Sequence, residues 1–194
     1  MIRATVLRSS TYRRMPWKNG GGETVEIAVS PDGAALSDFD WRISMAAVAT
    51  DGPFSIFAGI DRTLSILDGN GMSLTIGGEA RVLLTQDSAP LAFPADISVS
   101  ATLADGPILD LNVMTRRNGF GHRVERADVN STVTVHPAAP TLFVLCHQGT
   151  LTVDCSGEHA DLGPKDAVVL EQAKGKDVVI SGKARCFLIS IDPI

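Results

Sequence analysis

Residues 15–24, MPWKNGGGET, put a large aromatic, a cation, an amide and three glycines side by side. Trp17 offers a flat apolar surface with one donor, and Lys18 a positive point charge. Asn19 brings both a donor and an acceptor. Gly20 and Gly21 permit positive φ and close approach of the backbone, and successive N–H groups in such a run can form an anion-binding nest. Together these groups suit a small polar anion such as an acyl amino acid. The same residues also suit a hairpin turn, with Trp17 plugging the end of a barrel and Lys18 in solvent. The stretch by itself leaves both readings open.

Two further stretches carry chemistry. In WRISMAAVATDGPFSIFAGIDR, Trp41, Ile43 and Met45 alternate with Arg42, Ser44 and Ala46, the period of a strand. If the Arg42–Ser44 face lines an interior, Arg42 is a carboxylate clamp through its bidentate fork; if it faces solvent, Arg42 is an ordinary surface residue. DGPFS reads as a turn with Phe54 packed beneath it, and the Asp61-Arg62 pair reads first as a source of structural ion pairs. In GPILDLNVMTRRNG, Asp110, Asn112 and Met114 share one strand face, with Leu109, Leu111 and Val113 on the other. That polar row lines a pocket or faces water. Arg116 and Arg117 follow at the strand end, and this strand is expected to return beside WRISMA.

Other chemistry finds little support. The four histidines, His122, His136, His147 and His159, form no His-x-His pair, and the first half of the chain has none; no metal site is expected, since zinc, iron and manganese need convergent imidazole and carboxylate groups. There is no Gly-x-Ser-x-Gly, no Walker loop and no dinucleotide fingerprint in a βαβ setting. No cofactor is expected. A net charge of −5 without a dense Lys/Arg run disfavours nucleic acid. Cys146, Cys155 and Cys186 lie in or beside β-like runs without a CxxC pair, which reads as reduced, buried thiols. The lack of a long apolar run and of a leader-like start leads to the expectation of a cytoplasmic protein with no membrane association.

The elements that must position these residues are strands. Short apolar runs recur between Gly, Asp and Pro, and no long helical stripe appears, so the chain is expected to be all-β. HRVERADVNST reads as a polar connector with one helical turn at most. Thr63-Leu64-Ser65-Ile66-Leu67-Asp68-Gly69-Asn70-Gly71 aligns with Thr141-Leu142-Phe143-Val144-Leu145-Cys146-His147-Gln148-Gly149, a strand–turn–strand unit used twice. Leu162-Gly163-Pro164-Lys165-Asp166 before an apolar run resembles the strand-turning element of cupins. The expected architecture is a bicupin: two antiparallel jelly-roll barrels, residues 1–120 and 121–194, with N-terminal residues available to add a strand to the second.

In this order, PWKNGGG, WRISMA.V..DGPFS.F.GIDR and GP..D.N.M.RR resemble the HutD/Ves family. The likeness spans most of the chain and weakens after about residue 120. One departure is Phe93-Pro94-Ala95-Asp96, where members often show Phe-x-Gly-Asp; alanine at a positive-φ turn would be strained. The resemblance implies a bicupin without the usual metal triad, associated with histidine utilisation. It implies a regulator that binds a small carboxylate such as formylglutamate or urocanate. It also implies that Trp17, Lys18, Asn19, Gly20 and Gly21 belong to the site, surrounded by Arg42, Ser44, Phe54, Asp61, Arg62, Asp110, Asn112 and Arg116. The alternative is a cupin-type hydrolase or isomerase using Asp61 or Asp110 as general base. A homodimer through unpaired edge strands is a further expectation.

Overall fold

The computed structural model describes residues 1–194, whose regular elements are all strands apart from one short 3-10 turn at Ser9–Thr11. In chain order the strands are β1 (Arg3–Leu7), β2 (Arg13–Pro16), β3 (Gly22–Ser30), β4 (Trp41–Val48), β5 (Gly52–Pro53), β6 (Ile60–Asp68), β7 (Met72–Ile76), β8 (Val82–Leu84) and β9 (Leu91–Pro94). They continue as β10 (Val99–Leu103), β11 (Ile108–Arg116), β12 (Phe120–Val129), β13 (Thr132–Val135), β14 (Thr141–Cys155), β15 (Glu158–Leu162), β16 (Ala167–Glu171) and β17 (Val178–Pro193).

The chain divides into two compact units, Arg13–Phe120 and Gly121–Ile194 with Met1–Tyr12. The first twelve residues thus leave the N-terminal half and join the second unit. The cause is pairing: β1 runs antiparallel to β16, from Arg3 opposite Glu171 to Leu7 opposite Ala167. No helix of the protein is long and apolar enough to cross a membrane.

The unit Arg13–Phe120 has two sheets, ordered β2-β3-β4-β11-β6-β9 and β5-β10-β7-β8. Both orders are linear, so the sheets are open and not closed barrels. They share one core. Ala46, Val48, Leu64, Ile66, Phe93 and Ile108 come from the larger sheet, and Met72, Leu74, Leu84, Val99 and Ala101 from the smaller. β11 lies beside β4, with Asn112 opposite Ser44 and Asp110 opposite Ala46, the return expected from the sequence. Ala95 is buried and lies outside the left-handed region, so this corner does not require glycine.

The other unit holds a seven-stranded sheet along β1-β16-β14-β17-β12, with β15 on β14 and β13 on β17. Its core is apolar and includes Val144, Leu151, Val168, Ile180 and all three cysteines. These thiols are free and buried. Burial pushes Cys146 up to about 11 and Cys186 up to about 12, which keeps them protonated and unreactive. The segment read as a polar connector is instead strand β12, whose charges went unrecognised as strand residues. It ends its sheet, and an edge strand exposed on much of its surface tolerates charged side chains.

The internal repeat has a structural counterpart in its glycines. Gly71 and Gly149 both take positive φ, 95° and 81°. A Cβ on Gly71 would stand 2.2 Å from the Leu84 carbonyl oxygen, and one on Gly149 2.1 Å from that of Lys183. The two copies differ otherwise: the first breaks into β6 and β7, while the second runs on as β14 through a register shift between Cys146 and Gln148.

Candidate functional site in the interior of the first unit

Strand alternation places the polar row inside. Ala46 and Val48 point into the shared core, so Ser44 and Arg42, two and four residues from Ala46, point the same way. On β11, Ile108 fixes the phase, and Asp110 and Asn112 follow it; on β6, Leu64 and Ile66 do the same for Arg62. All five polar side chains lie in buried residues: Arg42 is 6% exposed, Ser44 2%, Arg62 6%, Asp110 1% and Asn112 9%. The facing smaller sheet supplies Met72, Leu74, Leu84, Val99 and Ala101 to that core. A buried polar row costs stability unless each member finds a partner, so the partners matter.

Arg42 is held by Glu26, Nε to Oε2 at 2.7 Å, with both side chains nearly enclosed. Sequence reasoning missed Glu26. Its signal was present in GETVEIAV, where a carboxylate sits between Val25 and Ile27 on the opposite parity. Glu26 lies opposite Ser44, and a bulge between Glu26 and Ala28 shifts the register of β3 against β4. Arg42 therefore gives its Nε to a fixed carboxylate partner.

Arg62 is arranged differently. Its guanidinium carbon lies 5.2 Å from the centre of the Phe54 ring, 5.5 Å from that of Phe57 and 6.0 Å from that of Phe93. Such rings attract a cation through their quadrupoles. One nitrogen reaches the Met114 sulfur at 3.9 Å, a weak acceptor, and Nε has no hydrogen-bond partner. Burial pulls its pKa down to about 10, opposed by the nearby Asp110 carboxylate and reinforced by Arg42. It remains charged at neutral pH. Phe57 and Phe93 were also missed. Phe93 faces Arg62 across the β6–β9 pairing, a long-range relation that local pattern does not carry.

Asp110 accepts a hydrogen bond from the Asn112 side-chain amide. Burial pushes its carboxyl up to about 7, against the opposing pull of Arg62, the Ala46 backbone N–H and Asn112. The unit Arg13–Phe120 contains no His, Cys or Tyr, so Asp110 stands out as its group poised to exchange a proton near neutrality.

The glycine loop between β2 and β3 is a closed hairpin turn. Trp17 N–H donates to the Gly22 carbonyl at 2.9 Å and Gly20 N–H to the Trp17 carbonyl at 3.1 Å. Gly21 N–H donates to Asn19 Oδ1 at 2.9 Å. Two N–H groups of the expected nest are thereby used within the turn. Trp17 is half-buried against the shared core and donates from Nε1 to Thr24 Oγ1 at 2.8 Å. Lys18, Asn19 and Gly20 are exposed. Gly22 lies opposite Val48, whereas Arg42 is at the other end of β4 and level with Arg62 across Met114, so the loop and the two arginines lie toward opposite ends of the larger sheet.

Two sequence-selected residues lie off the interior. Asp61 pairs with Arg117 at 2.8 Å, and Arg117 also binds Asp96 at 2.9 Å, which holds Asp96 below the usual carboxylate range. Arg116 donates to the Phe39 carbonyl at 2.8 Å and ties down the segment before β4. The structure brings Arg42, Ser44, Arg62, Asp110 and Asn112 into one interior row, with the Phe54 ring against Arg62. No group of three or more His, Cys, Asp and Glu side chains is set to hold a metal ion.

The unit Arg13–Phe120 is thus all-β, with charged side chains enclosed between its two sheets, and solved structures of cupin-like fold share this architecture. The chain belongs to the HutD family, whose profile matches residues 9–188. It is 35% identical over 173 residues to an uncharacterised 21.2 kDa protein in the hutC 3′ region of Pseudomonas putida, covering 88% of each chain. It is 41% identical over 120 residues to protein Ves of Citrobacter koseri, covering 60% of this chain and 61% of that one. The solved structure of HutD from Pseudomonas fluorescens SBW25, in a formate condition, superposes with a TM-score of 0.86 at 35% identity, over 99% and 100% of the chains. YhhW of Escherichia coli, at 8% identity, matches with a TM-score of 0.71 over 99% of both chains, a likeness of fold alone.

Proposed function

We propose that this protein is a regulatory small-molecule-binding protein associated with histidine utilisation, and that it binds a small carboxylate in the interior of the unit Arg13–Phe120. The carrying observation is Arg62: a buried guanidinium, set among the rings of Phe54, Phe57 and Phe93, whose Nε has no protein partner. A buried cation with an open donor favours an anionic acceptor, and a guanidinium edge suits a carboxylate. Asn112 and Ser44 add neutral hydrogen-bonding groups for a formyl or amide oxygen. Formylglutamate and urocanate fit this chemistry, and formate is its smallest form. The link to histidine breakdown draws on family membership and on the relative in the hutC 3′ region. On this reading each unit corresponds to one jelly roll of a cytoplasmic bicupin, and the apolar core of the other unit serves structure.

The test is thermal unfolding with formate, formylglutamate, urocanate, histidine and glutamate. A ligand at about 100 times its dissociation constant adds roughly 2.7 kcal/mol, a shift of roughly 5 °C or more for a chain of this size. A shift with a carboxylate that disappears in Arg62→Met supports the reading. A shift with no carboxylate at all would sink it.

A second reading, a hydrolase or isomerase, has one observation in its favour: Asp110 is poised near 7, where a general base works best. It lacks an evident acid partner, since the unit has no His, Cys or Tyr. Turnover of formylglutamate that is abolished in Asp110→Asn would establish this reading in place of the first.

A further inference from the structure

The charges inside the first unit form a closed account. Arg42 and Arg62 are the cations, and Glu26 and Asp110 the carboxylates, that face the interior row. Arg42 is satisfied by Glu26 on β3. Asp110 accepts from the Asn112 amide on its own strand and feels the charge of Arg62 on β6, which with Arg42 on β4 lies opposite Met114, four residues along β11. The smaller sheet opposite contributes Met72, Leu74, Leu84, Val99 and Ala101, none of which titrates. With both carboxylates ionised the interior is neutral, and Arg62 is balanced only by Asp110. An incoming carboxylate would then leave one negative charge uncompensated among apolar walls, which is strongly unfavourable. With Asp110 protonated the same carboxylate restores neutrality, and the new O–H can donate to the ligand oxygen.

We propose that the interior site takes one carboxylate together with one proton, which passes from solvent to an oxygen of Asp110. This rests on the carboxylate reading of the site and adds its charge capacity and its regulation by pH. Only one interior cation lacks a fixed carboxylate partner, so only one ligand charge is accommodated. No bond of the ligand changes; one O–H bond forms on Asp110, and the buffer supplies the proton. Burial already pushes the Asp110 carboxyl up to about 7, so this uptake falls within the range a cell experiences.

The experiment is isothermal titration of the full chain with sodium formate at pH 6 and pH 8, each in two buffers of different ionisation enthalpy. At pH 8 about one proton should be taken up per formate and at pH 6 close to none, with affinity falling about tenfold per pH unit above the Asp110 midpoint. Oxalate, with its second charge, should bind more weakly than formate. Asp110→Asn should bind formate at pH 8 about as tightly as the unaltered protein does at pH 6, without proton uptake. The difference infrared spectrum of the unaltered protein on adding formate at pH 8 should gain a protonated-carboxyl band, a readout independent of any variant. Formate binding at pH 8 with no proton uptake overturns the coupling and leaves the carboxylate site standing. Proton uptake that persists in Asp110→Asn overturns the assignment to Asp110, and tighter binding of oxalate overturns the one-charge limit. Absence of formate, acetate and formylglutamate binding at pH 6 overturns the carboxylate reading itself, and the coupling with it.

Discussion

Glu26 and Arg42 form a 2.7 Å ion pair on neighbouring strands, one in β3 and one in β4, with side chains only 11% and 7% exposed. The pair is diagonal, since Glu26 lies opposite Ser44 and Arg42 opposite Val29, and the intervening bulge brings the two strands into that offset. Burial makes each member depend on the other.

Arg42→Ala should therefore destabilise the fold by about 3 kcal/mol, because it leaves the Glu26 carboxylate enclosed without its cation. The sequence leaves Arg42 open between a carboxylate clamp and a surface residue; the structure adds a buried ion-pair partner, Glu26. The double variant Glu26→Gln/Arg42→Met should recover most of the loss. Chemical denaturation of the two variants measures this, and an Arg42→Ala protein as stable as the parent would contradict it.

Arg62→Met should keep the volume inside the Phe54, Phe57 and Phe93 rings while removing the charge. Formate affinity should fall roughly 10- to 100-fold, the equivalent of one charge-assisted hydrogen bond of about 1.5–3 kcal/mol. Arg62→Lys should recover little, because an ammonium lacks the planar, bidentate fork. Titration calorimetry separates these outcomes.

Asp110 leads to a pH dependence of stability in the absence of any ligand. Its folded carboxyl titrates near 7, above the unfolded value of about 3.9. Between those values the folded chain holds a proton that the unfolded chain releases. The stabilisation is fully present below about pH 4 and is lost as pH rises through about 7. Asp110→Asn stays neutral throughout. Its melting temperature relative to the parent should rise steadily from pH 5 to pH 7.5 and then level off. Paired melting curves across that range check the sign.

Gly22 and Gly20 should fail for different reasons. A Cβ at Gly22 would stand 2.2 Å from the Ala47 carbonyl oxygen and 3.0 Å from the Trp17 ring, so Gly22→Ala should cost about 1–3 kcal/mol through overpacking. Gly20 has open space around it but a φ of 71°. Gly20→Ala should cost about 1 kcal/mol through backbone strain alone, and Gly20→Asn less, because asparagine tolerates that conformation. Denaturation midpoints of the three variants distinguish steric contact from strain.

Strand period was legible in the residues themselves. WRISMA and ILDLNVM alternate with a period of two, so the sharing of a face by Arg42 with Ser44, and by Asp110 with Asn112, follows from covalent geometry within each strand. The all-β character follows equally, from short β-favouring runs between turn residues. Period separates two faces without saying what either packs against; in β4 and β11 both are buried, with Ile43, Met45, Leu111 and Val113 on one and the polar row on the other. That was decided by packing, which laid Met72, Leu74, Val99 and Ala101 of the smaller sheet against Ala46, Val48 and Ile108 on the face that carries the polar row. The Glu26 partner of Arg42, the three rings around Arg62 and the attachment of β1 to β16 likewise depend on pairing between segments distant in sequence. Local sequence determines which side chains travel together along a strand. Register and sheet packing are long-range, and they decide which of those side chains lose their water and so need a partner, a proton or a ligand.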